Sequence, residues 1–148
     1  MLISTHLLAG MILSLLIIDL FNITNALMFI IIFSFFSILP DIDSHKSKIG
    51  SKLKPLSYVF EILFGHRGFL HSMWIPMIIF ILFWLFGYFT LGLAAMLGYI
   101  LHLLMDSMTL GGVKFFGIKK RRGFVKTGGA FEIVLFFVLV LLLIKILF

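Results

Sequence analysis

Histidine and aspartate recur in this chain at spacings that suit metal coordination. His102 and Asp106, in the segment HLLMD, are four residues apart, so on a helix they lie on one face, one turn apart. Asp41 and Asp43, in PDIDSH, follow Pro40, and in a turn both carboxylates can point to one side. Because the chain has no cysteine, metal ligands must be His, Asp or Glu. The spacing therefore predicts a metal site without thiolates.

The segment GHRGFLHS adds two more histidines where the chain turns into an apolar stretch. His66 and His71 are five residues apart, too far round for one helical face, so we expect His66 in the loop and His71 in the first turn of the next helix. The two glycines of the segment let the backbone bend there. Arg67, between the histidines, is a natural partner for a phosphate or a carboxylate.

The composition indicates that a membrane positions these groups. The 148 residues are 62% hydrophobic and 12% charged, with a mean hydropathy of +1.24, whereas soluble domains are about 45–50% apolar. We therefore predict an all-α, polytopic bundle forming a single integral-membrane domain, residues 1–148. The first 20 residues lack the features of a signal peptide and are interpreted as a retained span. About five spans are predicted, near Ile3–Phe21, Thr24–Leu39, Leu70–Phe89, Leu91–Ser107 and Phe131–Phe148, with a short interfacial helix over 55–64.

The basic residues orient this bundle. Lysine and arginine are concentrated in the two long loops, which five spans place on the same side, and the positive-inside rule makes that side the cytoplasm together with the N-terminus. The net charge of +6 is thereby explained by topology and by attraction to anionic membrane lipid. Nucleic acid is not an expected partner, because no stacking or groove-reading motif accompanies the charge.

On this topology the ionisable groups converge at one membrane face, although they come from distant segments. Ionisable groups at membrane depth are costly and are functional candidates by default. Two other functions stay open: a proton or metal-ion transporter, which predicts polar residues through the middle of the spans, and a non-catalytic anchor or partner-binding protein with a structural metal site. The converging residues are His6, Asp41, Asp43, His66, His71, His102, Asp106 and Glu132.

The segments THLLAG, PDIDSH, GHRGFLHS, GYILHLLMDSMTLGGV and TGGAFE, in this order, resemble the successive motifs of the YdjM-like family. Members of that family are described as LexA-binding, inner-membrane-associated, metal-dependent hydrolases; the sequence contains nothing that supports the LexA-binding part. The resemblance implies a metal-dependent hydrolase of unproven substrate and spans almost the whole chain. A looser likeness connects the separated His and Asp residues to zinc-dependent phospholipase C. Carried over by position, the family's recurrent polar residues include Arg67, Ser72, Thr109, Gly111 and Glu132 besides the histidines and aspartates.

Metal-assisted hydrolysis of a phosphoester is the mechanism that we predict from these residues and the resemblance together. Seven candidate ligands are too many for one tetrahedral zinc, so two or more divalent ions are expected, zinc first, with manganese or iron as alternatives. Arg67 would bind a phosphate oxygen, and Glu132 would be a further ligand or the general base. A lipid or lipid-linked substrate is expected from the position at the headgroup level. The predicted ligands are His6, Asp41, Asp43, His66, His71, His102 and Asp106.

Overall fold

The computed structural model describes residues 1–43, 71–116 and 120–148, with only the backbone of residues 42 and 43. Within these ranges the chain is helical, apart from two isolated β-bridges, which confirms the predicted all-α class for this part of the protein. His45, His66, Arg67 and the predicted interfacial helix over 55–64 lie outside the described residues. The helices are α1 (Ile3–Phe21), α2 (Ala26–Phe36), a 3-10 helix (Leu39–Asp43), α3 (Trp74–Leu85), α4 (Phe89–Ser107) and α5 (Ala130–Leu147).

Three of these helices, α1, α4 and α5, are long and apolar enough to cross a membrane. Their 18 or 19 residues extend roughly 27–29 Å at 1.5 Å per residue, close to the thickness of a bilayer core. The helices α2 and α3 have 11 and 12 residues and are shorter than the predicted segments Thr24–Leu39 and Leu70–Phe89. After α2 the chain passes into the 3-10 helix, which contains Pro40, a residue without an N–H to donate. The helix α3 ends just before Gly87, whose φ is 81°.

The helix α4 is the centre of the bundle and packs against α1, α2 and α3. Small residues allow this close packing, as is common between helices in membranes. A Cβ at Gly98 would lie 2.2 Å from the carbonyl oxygen of Phe33 in α2. A Cβ at Gly10 in α1 would lie 2.6 Å from Ser37 Oγ, just after α2. These two glycines therefore set how closely α1 and α4 approach α2.

By contrast, α5 contributes little to the core. It packs mainly against α1, and only 6% of its most apolar 18-residue window is buried. Its exposed residues are almost all Leu, Ile, Val or Phe. A helix that is apolar all round is suited to lipid, so most of the α5 surface is expected to face the hydrocarbon.

The segment between α4 and α5 folds back over one end of the bundle, and we call its described residues, 108–116 and 120–129, the cap. Val113 and Arg121 exchange two backbone hydrogen bonds of 2.9 Å, and Leu110 N–H donates to the Val125 carbonyl. The Val113 side chain packs with Tyr99 and Leu103 of α4, and the Val125 side chain packs with Met105 of α4. The cap is thereby attached to the C-terminal end of α4, where His102 and Asp106 lie.

Candidate metal centre

Four of the predicted ligands meet at this end of the bundle. One ligand atom from each of Asp41, His71, His102 and Asp106 lies within 4.8 Å of the other three, and all four residues are buried. His71 Nε2 is 3.9 Å and His102 Nε2 is 4.0 Å from the same oxygen, Asp106 Oδ2. Two ligand atoms that are each about 2.0–2.2 Å from one ion lie at most about 4.4 Å apart, so the two distances from the histidines to Asp106 Oδ2 are within the reach of one divalent ion.

The helix ends explain why these four residues meet. Asp41 lies in the 3-10 helix after α2, and His71 lies in the turn before α3. His102 and Asp106 occupy successive turns at the end of α4, as their spacing predicts. Because neighbouring helices run in opposite directions, the C-terminal ends of α2 and α4 lie at the same end of the bundle as the N-terminal end of α3.

The orientation of the His102 ring is fixed by a backbone group. Its Nδ1 lies 2.8 Å from the carbonyl oxygen of Ser37, and since a carbonyl can only accept, Nδ1 carries the hydrogen. The lone pair of the neutral ring is then on Nε2, which has no hydrogen-bond partner among the described residues. A histidine held by one nitrogen, with the other directed at a carboxylate, is the arrangement typical of a metal ligand.

The second oxygen of Asp106 has its own neighbours. His6 Nε2 lies 3.3 Å from Asp106 Oδ1, and the amino group of Met1 donates a hydrogen bond to the same oxygen. The His6 ring stacks on the His102 ring, with centroids 4.1 Å apart and planes 17° apart. His6 thus belongs to the cluster and lies at the other Asp106 oxygen from His71.

Burial makes the electrostatics of this centre unfavourable without a cation. Burial raises the pKa of the Asp41 carboxyl, which lies beyond α2, and the nearby His6 imidazole opposes that shift. Asp106, His6 and His102 are fully buried. Two carboxylates and several imidazoles in an apolar surrounding are costly unless a positive charge is shared among them. The Met1 amino group supplies one positive charge at Asp106 Oδ1. A bound divalent ion would supply further positive charge at Oδ2 and would also satisfy the imidazole lone pairs.

Glu132, at the start of α5, is also buried, but its described contacts are with backbone groups. Its Oε1 accepts a hydrogen bond of 2.6 Å from Leu2 N–H, and its Oε2 accepts one of 2.7 Å from Gly128 N–H. The carboxylate therefore connects the beginning of α1 with the end of the cap. Because Leu2 lies only four residues before His6, this contact helps to hold His6 against Asp106. Its predicted role as a ligand or general base stays a prediction.

Replacing Glu132 with glutamine is expected to lower the thermal stability and to leave the metal content unchanged. The glutamine amide offers one acceptor oxygen, so either Leu2 N–H or Gly128 N–H would face an NH2 group, at a cost of roughly 1–3 kcal/mol. Melting temperature and metal content of the purified protein measure the two effects. A stable variant that has lost its metal would instead identify Glu132 as a ligand.

The structure also shows contacts that the sequence analysis did not anticipate. Ser37 provides the carbonyl that orients His102, and its hydroxyl bonds to the Ser34 and His6 carbonyls. The polar pair Ser34 and Ser37 in the apolar segment FSFFSILP was the available signal. The Thr109 hydroxyl, predicted as one of the family's recurrent groups, donates to the Asp106 carbonyl at the end of α4. The side chain of Asp43 lies outside what the structure describes.

Apolar helices that pack around a buried His and Asp cluster define an integral-membrane helical protein with a candidate metal centre. The chain belongs to the YdjM inner membrane protein family, whose model matches residues 1–147. The family assignment confirms the resemblance seen in the sequence.

Two relatives are similar to this chain over about half of its length. The inner membrane protein YdjM of Escherichia coli (strain K12) is 40% identical over 82 residues, which are 51% of this chain and 42% of that protein. The uncharacterized protein YvsG of Bacillus subtilis (strain 168) is 36% identical over 81 residues, 53% of this chain and 49% of that protein. The matched region spans less than half the length of these relatives. No solved structure matches the chain significantly.

Proposed function

We propose that this chain is a membrane-embedded, metal-dependent hydrolase that acts on a phosphoester of a lipid or lipid-linked substrate. One observation carries the proposal: His102 is held at Nδ1 by the Ser37 carbonyl and directs Nε2 at the Asp106 carboxylate. This arrangement leaves a nitrogen lone pair where a metal ion would need it. Asp41 and His71 complete a set of four buried ligands, a number and type that fit zinc.

We further propose that the centre holds two ions and that Asp106 would serve as a ligand in it together with His6, His71 and His102. His71 and His102 face Asp106 Oδ2, whereas His6 and the Met1 amino group face Oδ1, so both oxygens of the carboxylate lie among candidate ligands or a positive charge. Two-metal hydrolases commonly share a carboxylate between ions about 3.5–4 Å apart. Zinc is the expected metal, with manganese or iron as alternatives, since imidazole and carboxylate suit all three. Asp43 and His66 are the candidates for the remaining ligands.

In the proposed hydrolysis, different residues of this chain have different roles. When bound, the divalent ions supply a Lewis acid and lower the pKa of a bound water. The cap and the α4 end exclude bulk water from the centre, which strengthens every electrostatic contact inside it. Arg67 would bind a non-bridging phosphate oxygen through its planar guanidinium. Glu132 holds the α1 end in place and, in the second predicted role, takes a proton from the attacking water.

A lipid substrate is favoured because the centre lies at the end of a bundle whose outer surface is apolar. Trp74 beside the turn of His71, and Leu104 and Met108 near Asp106, are exposed to the surroundings. A substrate dissolved in the bilayer could therefore approach the centre laterally. We place the centre on the cytoplasmic side of a five-span topology, in which α2 and α3 also cross, because the cap is rich in lysine and arginine.

A structural metal site is the second candidate, and the burial of the ligands favours it. His102 and Asp106 are fully buried, and Asp41 is only 8% exposed, as in closed structural sites. A transport function has less support. At the opposite end, a cavity of about 400 Å³ is lined by apolar residues and Thr90, so this cavity offers little polar surface to an ion.

Hydrolysis of a phosphoester by the purified, metal-loaded protein is the expected outcome of the direct test. Chromogenic phosphodiesters and phosphomonoesters, followed by short-chain phospholipids, would be screened in detergent with added zinc or manganese. The activity should disappear with a chelator and return with metal, and Arg67→Lys should raise KM more than it lowers kcat, since lysine keeps the charge but loses the bidentate contact. A metal-loaded protein that is inactive on the whole screen would favour the structural site.

A further inference from the structure

The outer surface of the cap and its surroundings combines positive charge with exposed aromatic rings, and neither takes part in the metal centre. The five basic residues in the described part of the cap are all exposed on the surface. Four large aromatic side chains nearby are half-exposed or more. We call this surface the collar; it comprises Lys114, Lys120, Arg121, Arg122, Lys126, Trp74, Phe116, Phe124 and Phe131.

The described carboxylates at this end of the bundle are buried, whereas the basic residues of the collar are exposed. The carboxylates described there, Asp41, Asp106 and Glu132, are buried under the cap. Asp19, which is exposed, lies near the other end of α1. The exposed face of this end is therefore positive among the described residues.

The backbone holds the collar in a defined shape. Arg121 is paired through two backbone hydrogen bonds with Val113, a fully buried residue. Met73 N–H donates a 2.7 Å hydrogen bond to the Phe115 carbonyl, and the Trp74 ring meets the Phe116 ring edge to face at 6.3 Å. The backbone at Arg121 and the rings of Trp74 and Phe116 are thus held by the buried part of the cap and by the start of α3.

We infer that the collar binds anionic phospholipid headgroups in the leaflet that surrounds the metal centre. Tryptophan and phenylalanine side chains at a membrane interface contact the upper acyl chains, while lysine and arginine attract phosphate. Because the collar is positively charged, it should bind acidic lipid in preference to zwitterionic lipid. The inference does not depend on catalysis, because the collar residues are separate from the cluster of His6, His71, His102 and Asp106.

The two tryptophans allow this inference to be tested at each end of α3. Trp74 lies at the collar, and Trp84 lies ten residues further on, toward the other end of the helix; both are more than half exposed. Trp84→Phe leaves Trp74 as the reporter, and Trp74→Phe leaves Trp84 as the matched control. Each protein is reconstituted into vesicles, and tryptophan quenching by brominated phosphatidylglycerol is compared with quenching by brominated phosphatidylcholine at equal mole fraction.

We expect Trp74 to show a relative binding constant about fivefold or more in favour of phosphatidylglycerol, and Trp84 to show no preference. Arg121→Gln combined with Arg122→Gln should reduce the preference at Trp74, and so should added salt in the protein with both arginines. The preference should persist when a chelator removes metal. Equal quenching by both lipids at Trp74, the same preference at Trp84, or a preference insensitive to salt would overturn the inference.

Discussion

Replacing Asp106 with asparagine is expected to abolish stable binding of divalent metal. Asp106 contacts the other members of the cluster through both carboxylate oxygens, with His6 at Oδ1 and His71 and His102 at Oδ2. Asparagine keeps the shape but has no negative charge and one acceptor oxygen. Loss of an outer-shell partner alone typically weakens metal binding by about 10–100-fold, and loss of this ligand should exceed that. Plasma mass spectrometry on detergent-purified protein measures the metal content.

Asp19→Asn is the matched control, because it makes the same chemical change at an exposed position near the other end of α1. It should retain the metal content of the wild type. Asp41→Ala and His102→Ala should lose metal as Asp106→Asn does. Loss of metal in all three variants would show that residues distant in sequence build one centre. The metal-centre proposal fails if folded wild-type protein is metal-free and takes up neither zinc nor manganese.

Replacing Gly98 with alanine is expected to cause the largest loss of stability among single methyl additions in α4. The new Cβ would lie 2.2 Å from the Phe33 carbonyl oxygen, and because that oxygen belongs to the α2 backbone it cannot turn away. Overpacking of this kind costs roughly 1–3 kcal/mol and occasionally more. The helices must separate, which lengthens the 2.8 Å contact from His102 Nδ1 to the Ser37 carbonyl. We therefore expect a lower melting temperature and a weaker hold on metal.

Leu104→Ala is a suitable control for this variant, since Leu104 lies on α4 near the centre but is half exposed. It should change the melting temperature little and leave the metal content intact. A Gly98→Ala protein that melts at the wild-type temperature and binds metal equally well would show that Gly98 does not set the distance between α2 and α4. Loss of metal at unchanged melting temperature would mean that Gly98 acts on the centre alone.

Much of the architecture was predictable because membranes restrict what a chain can do. Long apolar segments must form helices to satisfy their backbone groups, and the bounds Ile3–Phe21 agree with the structure. The four-residue spacing of His102 and Asp106 predicted a shared face, and the convergence of Asp41 and His71 followed from the alternating direction of the helices. These inferences need only spacing and connectivity.

Other features depended on tertiary contacts that sequence patterns do not encode. Hydropathy could not distinguish an 11-residue α2 from a full span, because the apolar residues continue into the 3-10 helix. The hydrogen bond from His102 to a carbonyl 65 residues away has no local signature, since every residue carries a carbonyl. Glu132 was predicted to do chemistry, yet its described partners are two backbone amides that no spacing rule would identify.

The dispersal of the four clustered ligands along the chain also determines when the centre can be assembled. Asp41, His71, His102 and Asp106 come from the segments after α2, before α3 and within α4. When the chain has been synthesised only through the 3-10 helix, one of the four residues is present. The full set exists only after the last turn of α4 has been synthesised and has moved into place beside α2. Metal binding at the proposed centre would therefore be possible only late in biogenesis, and a chain that stops before Asp106 would lack one of its four candidate ligands.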